Sequence, residues 1–236
     1  MPAGNERPAV PESVSTPAPV HASTTGAPEV DTQFERVIFF SDAVFAIAIT
    51  LLVIDIRLPD VAGHARPLDV LNALTPQILA FALSFIVVGR YWVSHHSMFG
   101  QIRGFDGRLI TLNLLLLLFI AFVPFPTSFL GAYGNDPSGP IVYALTNAGA
   151  SGSLALIWWY ASLNGLTVPG LDPRYVRYVT WRMLRTSFVF LLSIPVAVYV
   201  SPTLAEFSWA LIVPVGLVLH RVYGEAADFR PRRSAG

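Results

Sequence analysis

The chain has 236 residues, of which 53% are hydrophobic and 13% are charged, and its mean hydropathy is +0.56. This balance is too apolar for a water-soluble domain and predicts a membrane protein. Basic and acidic residues cancel at 15 each, so no bulk charge favours nucleic acid as a partner. Cysteine is absent, which excludes disulfides, thiolate metal sites and cysteine nucleophiles.

The composition divides the chain into three parts. Residues 1–33 are rich in Pro, Ala, Ser and Thr and contain no apolar run, which predicts a disordered tail. Residues 34–223 hold the hydrophobic segments, and residues 224–236 form an Arg-rich end. Arginines placed beside a membrane segment are typical of contact with anionic lipids.

Six runs are long enough to cross a membrane, which takes about 20 mostly apolar residues. They predict an all-α, polytopic membrane protein with six transmembrane helices at 37–56, 70–94, 109–130, 140–163, 179–200 and 204–223. Thirteen of the fifteen arginines fall on one side of the membrane, and Arg57 and Arg66 fall on the other. Because basic residues near span ends are retained in the cytoplasm, we expect a multi-pass protein of the cell membrane with both termini cytoplasmic.

The first predicted span carries polar residues at its cytoplasmic end, namely Arg36, Ser41 and Asp42. A carboxylate inside a membrane is costly unless it is paired or hydrated, so Asp42 indicates a partner or a water path. The alternative is that Asp42 lies at the headgroup boundary, where the positive end of the helix dipole stabilises it.

An apolar stripe runs along the same span. On a helix with 3.6 residues per turn, one face is shared by Phe40, Val44, Ile47, Leu51 and Ile54. Such a stripe is typical of helix packing or lipid contact, so the spacing alone does not indicate a pore.

The residues Arg36, Phe40, Ser41 and Asp42 match an R-x-x-x-F-S-D pattern. This pattern resembles the signature that opens the first helix in the endolysosomal potassium channel family of the transmembrane-protein-175 type. The similarity continues in AVFAIAITLLVIDIRL at 43–58, YWVSHH at 91–96 and FVPFPTS at 122–128. It covers the predicted six-span core, residues 34–223, and leaves both ends of the chain outside.

The resemblance implies a passive, potassium-selective cation channel whose pore is lined by first helices. Consistently, the chain has no T-V-G-Y-G segment of the kind that forms a carbonyl filter. Position by position, the family's hydrophobic constriction falls on Ile47, and Leu51 and Ile54 supply the next rings. Thr50 matches a hydroxyl position that is linked to selectivity in the family. An apolar ring of this kind can gate a pore by dewetting.

The resemblance also implies how many chains assemble. The signature occurs once here, and one helix cannot enclose a pore, so several copies must surround an axis. Animal members of the family carry two repeats and work as dimers. A chain with one repeat is therefore expected to form a homotetramer.

A polar cluster around the signature is the second site that the resemblance implies, and it is expected to hold the base of the pore helix. Its predicted members are Arg36, Phe40, Ser41 and Asp42 from the first span and Trp92, His95 and His96 from the second. In this cluster the two histidines are expected to partner Asp42 or Arg36. The alternative is that the histidine pair is an ordinary interfacial feature beside Trp92. Asn113 interrupts a leucine-rich span and is predicted to bond across helices.

Two other functions compete with the channel. A secondary transporter would use Asp42 as a proton-coupled carboxylate, although the two halves of the chain show no matching broken helices. A membrane-embedded enzyme would need a convergent catalytic set, and the chain has no H-E-x-x-H, G-x-S-x-G, P-loop or dinucleotide fingerprint. We therefore expect no enzyme, no metal site and no cofactor besides the permeant potassium ion, with further copies of the chain and membrane lipids as partners.

Overall fold

The computed structural model describes residues 28–58 and 66–224, with side chains from Gln33 onwards. Eight α-helices account for most of the described residues. They are α1 (Pro28–Leu51), α2 (Pro67–Phe99), α3 (Gly107–Phe122), α4 (Pro124–Tyr133), α5 (Ser138–Leu163), α6 (Pro173–Tyr199), α7 (Pro202–Ser208) and α8 (Ile212–Tyr223). A 3-10 turn, Trp209–Leu211, joins α7 to α8. The predicted all-α fold class is confirmed.

The predicted spans correspond to these helices in chain order. Within the described ranges, α2, the α3–α4 pair, α5, α6 and the α7–α8 segment are each long and apolar enough to cross a membrane. The remaining predicted span is α1, which carries Glu35, Arg36 and Asp42 in its sequence. This helix ends at Leu51, short of the predicted end at residue 56, and hydrogen-bonded turns continue the segment beyond it.

The start of α1 corrects the predicted tail of residues 1–33, because residues 28–33 already belong to the helix. Proline suits the first position of a helix, since its φ angle is already helical and its missing N–H would have no partner there. Residues 1–27 and 225–236, which include most of the predicted tail and of the Arg-rich end, lie outside the described residues.

Local sequence signals set both ends of α3. Asp106 caps the helix by accepting a hydrogen bond from the backbone N–H of Leu109 at 2.8 Å. The hydroxyl of Tyr160 also donates to Asp106, and these hydrogen bonds hold the pKa of the Asp106 carboxyl below its usual range. At the other end Pro124 lacks the N–H that would continue the helix, so α3 stops at Phe122 and α4 begins.

The centre of the bundle is α5, which packs against α3, α4 and α6. It buries 67% of its most apolar stretch inside the subunit, compared with 17% for α2 and 11% for the α7–α8 segment. Small residues at 148–153, AGASGS, allow neighbouring helices to approach closely. The polar members of this stretch, Ser151 and Ser153, donate to carbonyls of their own helix.

Gly149 of α5 lies directly against Phe119 of α3, and a Cβ added at this glycine would lie 2.4 Å from the ring. We expect Gly149→Val to destabilise the protein by about 1–3 kcal/mol, because overpacking forces neighbouring side chains to move. The measurement is thermal unfolding in detergent. Gly89→Val on α2 is the matched control, since nothing lies within 4 Å of a Cβ there. An equal loss of stability in the two variants would contradict the prediction.

Two connections meet at one end of the bundle, the end predicted to be cytoplasmic. The backbone N–H of Arg103, in the α2–α3 connection, donates to the carbonyl of Leu166 in the α5–α6 connection at 2.8 Å. Nearby, Val168 donates to the carbonyl of Gln101 at 2.8 Å. The end of α2 and the beginning of α6 therefore lie at the same level of the bundle.

Candidate ion pathway

The helix α1 has one buried face and one exposed face. Phe45 and Leu52 are each 1% exposed and pack in the core of the subunit. By contrast, Ile47 is 58% exposed, Leu51 41% and Ile54 67%. The residues predicted to form the constriction therefore lie on the side of α1 that faces away from its own subunit.

The exposed face differs at one position from the stripe that the spacing predicts. Val44 is half-buried and packs against the core, whereas Ala43 is exposed. The exposed line thus runs through Phe40, Ala43 and Ile47 at spacings of three and four, which a period of 3.6 residues allows equally well. Beyond Leu51 the line reaches Ile54 through the turns that follow the helix.

A chain of hydrogen bonds ties the buried face of α1 to α3 and α2. The Oγ of Ser41 accepts from Nδ2 of Asn113 at 2.9 Å, and Nε2 of His95 lies 3.0 Å from Oδ1 of Asn113. Because an amide oxygen only accepts, Nε2 of His95 carries the proton and donates. Ser41 in turn donates to the carbonyl of Val37 at 2.8 Å. The three side chains are each at most 1% exposed.

A second contact joins α1 to the more exposed side of α2. The indole N–H of Trp92 donates to Oδ1 of Asp42 at 2.9 Å, and His96 stacks on Trp92 with ring centroids 5.7 Å apart. Trp92 and His96 are one helical turn apart and therefore share a face of α2. His95 points the other way, into the core, where its ring stacks on Phe99 at 4.1 Å.

These contacts correct the predicted pairing of the cluster. The histidines were expected to partner Asp42 or Arg36, but Asp42 pairs with Trp92 and His95 pairs with Asn113. Arg36 and Phe40 are exposed on α1, on the side of Ile47, and so they lie outside the hydrogen-bonded cluster. The cause is helical geometry, which at about 100° per residue turns positions 36 and 40 about 140° on average away from Ser41 and Phe45.

Asn113 has a larger structural role than the sequence predicted. The sequence indicated only a contact across helices, from a single amide in a leucine-rich run. In the structure it bridges α1 and α2 from α3, because it accepts from His95 of α2 and donates to Ser41 of α1. Among the described residues, no group of three or more His, Asp or Glu side chains could hold a metal ion.

These features define a polytopic α-helical membrane protein whose first helix has one face buried in the subunit and one exposed, largely apolar face. The family model described as the endosomal/lysosomal potassium channel TMEM175 matches residues 36–124, which include most of α1 and all of α2 and α3. A protein from Streptomyces collinus named as a potassium channel is 36% identical over 172 residues, covering 71% of this chain and 84% of that protein. The chain therefore belongs to the TMEM175 family, a family of ion channels.

Further relatives agree with this membership. The crystal structure of a lysosomal potassium-selective channel TMEM175 homolog from Chamaesiphon minutus superposes with a TM-score of 0.60 and 27% identity, over 83% of this chain and 99% of that one. The human protein named as the endosomal/lysosomal proton channel TMEM175 is 36% identical over 117 residues, which are 44% of this chain and 22% of the human protein. The family that the sequence motifs predicted is confirmed, and its members are channels rather than enzymes.

Proposed function

We propose that this protein is a potassium-selective channel in which the α1 helices of a homotetramer enclose the pore. The observation that carries the proposal is the exposure of Ile47, Leu51 and Ile54 on one face of α1, while the opposite face is buried in the same subunit. The names of the Streptomyces collinus and Chamaesiphon minutus relatives support potassium as the permeant ion. We place the channel domain at residues 28–223, in the cell membrane, with both ends of the chain cytoplasmic.

In this arrangement the exposed face of α1 forms stacked rings around the axis, because symmetry repeats each side chain in every copy. Ile47 forms the constriction, and Leu51 and Ile54 form the rings beyond it. A narrow apolar ring raises the free energy of water and of a hydrated ion inside it, so the pore closes by dewetting and conducts when the rings widen. Thr50, which is exposed beside Ile47, contributes a hydroxyl oxygen to the same wall.

The hydrogen bonds of the cluster position α1 rather than contact the ion. Ser41 and Asp42 are adjacent in sequence, and they are held by Asn113 of α3 and Trp92 of α2 respectively. Two anchors in different directions oppose rotation of α1 about its own axis. Such contacts are worth about 1 kcal/mol each in a membrane, enough together to favour the orientation that turns Ile47 outward.

The direct test is ion flux into proteoliposomes that contain protein of known oligomeric mass. A potassium gradient is compared with a sodium gradient, and valinomycin added to empty vesicles is the positive control. Potassium flux well above sodium flux from a tetramer is the expected result. Flux that appears only with a proton gradient would instead favour a proton-coupled transporter or a proton channel, the name given to the human relative.

Asp42→Asn distinguishes the channel from a transporter that uses this carboxylate. The amide oxygen of the new side chain can still accept the hydrogen bond from Trp92, so the geometry is retained while the titratable group is lost. A channel in which Asp42 only positions α1 is expected to keep potassium flux within a few-fold of wild type, as measured in the same vesicles.

The matched control is Asp69→Asn, which removes an exposed carboxylate from the first turn of α2. Loss of flux in Asp42→Asn but not in Asp69→Asn, with tetramer formation unchanged, would show that the carboxylate itself is needed for transport and does more than position α1. That outcome would contradict the proposed channel mechanism.

A further inference from the structure

A groove of about 670 Å³ lies between α2 on one side and α6 with the α7–α8 segment on the other. Its floor is formed by Ser151 and Leu154 of α5. None of its lining residues belongs to α1, so it is separate from the exposed face proposed to line the pore. The proposed channel mechanism assigns it no role.

Three arginines line this groove: Arg90 from α2, and Arg182 and Arg185 from α6. The groove also contains an acid, Glu206 of α7, but this residue lies at a different level. Counting from the turn that joins α6 to α7, Arg185 is about 21 Å and Glu206 about 6 Å along the bundle, at about 1.5 Å per helical residue. The groove is therefore cationic toward one end and not along its whole length.

Arg185 is a cation without a compensating anion in the described part of the chain. Its Nε is buried and has no hydrogen-bond partner among those residues. Its guanidinium presses against α8, where a Cβ added to Gly216 would lie 1.8 Å from Nη1. Its charged neighbours include Arg182 and Arg90, which have the same sign. Partial burial of like charges is unfavourable unless an anion joins them.

Most of the remaining lining of the groove is apolar. Its walls beyond the arginines include Leu83 and Ile86 of α2, Phe190 of α6, and Phe207 and Val213 of the last segment. A free inorganic anion gains no stabilisation from apolar walls, whereas the acyl chains of a lipid are stabilised by burial against them. The arginines lie on the side of the groove toward the end of the bundle where α2 finishes and α6 begins; Arg182 is about 14 Å and Arg185 about 18 Å along α6 from its start, at about 1.5 Å per residue.

We propose that this groove binds an acidic phospholipid, with its phosphate against Arg182 and Arg185 and its acyl chains along Phe190 and Phe207. The planar guanidinium matches two phosphate oxygens at once, so each arginine can donate paired hydrogen bonds. The lipid phosphate supplies the anion that Arg185 lacks, and the chains cover the apolar walls. The site goes beyond the proposed channel function and does not depend on it.

The test uses the full-length protein, purified in detergent and incubated with phosphatidylglycerol and phosphatidylcholine of identical acyl chains at equal concentration. Native mass spectrometry then counts the lipids retained by each assembly. We expect the wild-type protein to prefer phosphatidylglycerol by a factor on the order of ten, since each arginine near a phosphate favours an anionic lipid. This comparison requires no variant, so a folding defect cannot obscure it.

Variants then locate the preference. Arg182→Gln combined with Arg185→Gln is expected to bring the ratio of the two lipids close to one, and Gly216→Ala is expected to lower it, because the new methyl group displaces the Arg185 guanidinium. Arg103→Gln is the matched control, since Arg103 is an exposed arginine at the same end of the bundle but outside the groove. It should leave the preference unchanged.

Three results would overturn the proposal. Equal retention of the two lipids by the wild-type protein would show that the groove does not prefer an acidic headgroup. If Arg103→Gln lowered the lipid preference as much as the double variant does, the preference would come from general surface charge and not from the groove. A changed oligomeric mass in the double variant, without any lipid preference in wild type, would identify the groove as a contact between copies of the chain.

Discussion

Replacing Ile47 with Asn is expected to raise sodium permeability relative to potassium on the order of tenfold, which corresponds to about 1.4 kcal/mol. The physical reason is hydration of the proposed constriction. Ile47 offers no polar atom, so in the proposed tetramer a ring of four such side chains would exclude water, whereas four amides could hydrogen-bond to water and to a hydrated ion. Sodium, which holds its hydration shell, then passes with that shell. The measurement is the reversal potential with potassium on one side of a bilayer and sodium on the other.

The matched control is Leu192→Asn. Leu192 of α6 is 65% exposed, close to the 58% of Ile47, but it lies on a helix that is not proposed to line the pore. This substitution places the same amide on an exposed apolar surface and should leave the reversal potential unchanged. If Ile47→Asn changes neither conductance nor selectivity, Ile47 is not the constriction.

The second large effect is expected from Asn113→Leu, which removes the buried hydrogen bonds that bridge α1 and α2 through α3. A buried N–H of His95 then has no acceptor, and the hydroxyl of Ser41 loses its donor. An unsatisfied buried donor costs about 1–3 kcal/mol, so we expect a clear fall in the temperature of unfolding in detergent. Changing the tautomer of His95 does not rescue it, because Nδ1 also has no partner among the described residues.

Asn164→Ala provides the control for this substitution. Asn164 caps α5 from an exposed position, where water can replace its hydrogen bond to the carbonyl of Tyr160. It should lower the unfolding temperature much less than Asn113→Leu does.

A double-mutant cycle that combines Asn113→Leu with Ser41→Ala then measures the coupling between these two residues, since two residues in one hydrogen-bonded network should not behave additively. Strict additivity would contradict the chain of hydrogen bonds.

Most of the helical architecture could be predicted from sequence because the length and apolarity of a membrane span are properties of one segment. The predicted run 140–163 matches α5 within two residues, whereas α2 continues five residues past the end of its predicted run and α6 begins six residues before its own. The two ends of α1 were less accurate. Its start at Pro28 depends on a capping preference that the surrounding polar residues obscure, and its end at Leu51 depends on local turns.

Contacts between helices were harder to predict, since they depend on how each helix is rotated. The sequence identified His95 and Asp42 as members of one cluster, but it could not show that His95 points into the core while Trp92 points toward Asp42. It likewise assigned Arg182 and Arg185 to one side of the membrane by counting charges. That count does not reveal that both line a groove shared with α2 and α8.

The orientation of the Thr50 hydroxyl group affects whether the exposed face of α1 attracts cations or anions. It donates its hydrogen to the carbonyl of Ile47 at 2.8 Å, within the same helix, as threonine often does in helices. The positive end of the O–H dipole is thus turned into the helix, and the oxygen lone pairs are left on the exposed side. In a pore lined by this face, a passing cation would meet the attractive end of one such dipole from each subunit, whereas an anion would be repelled.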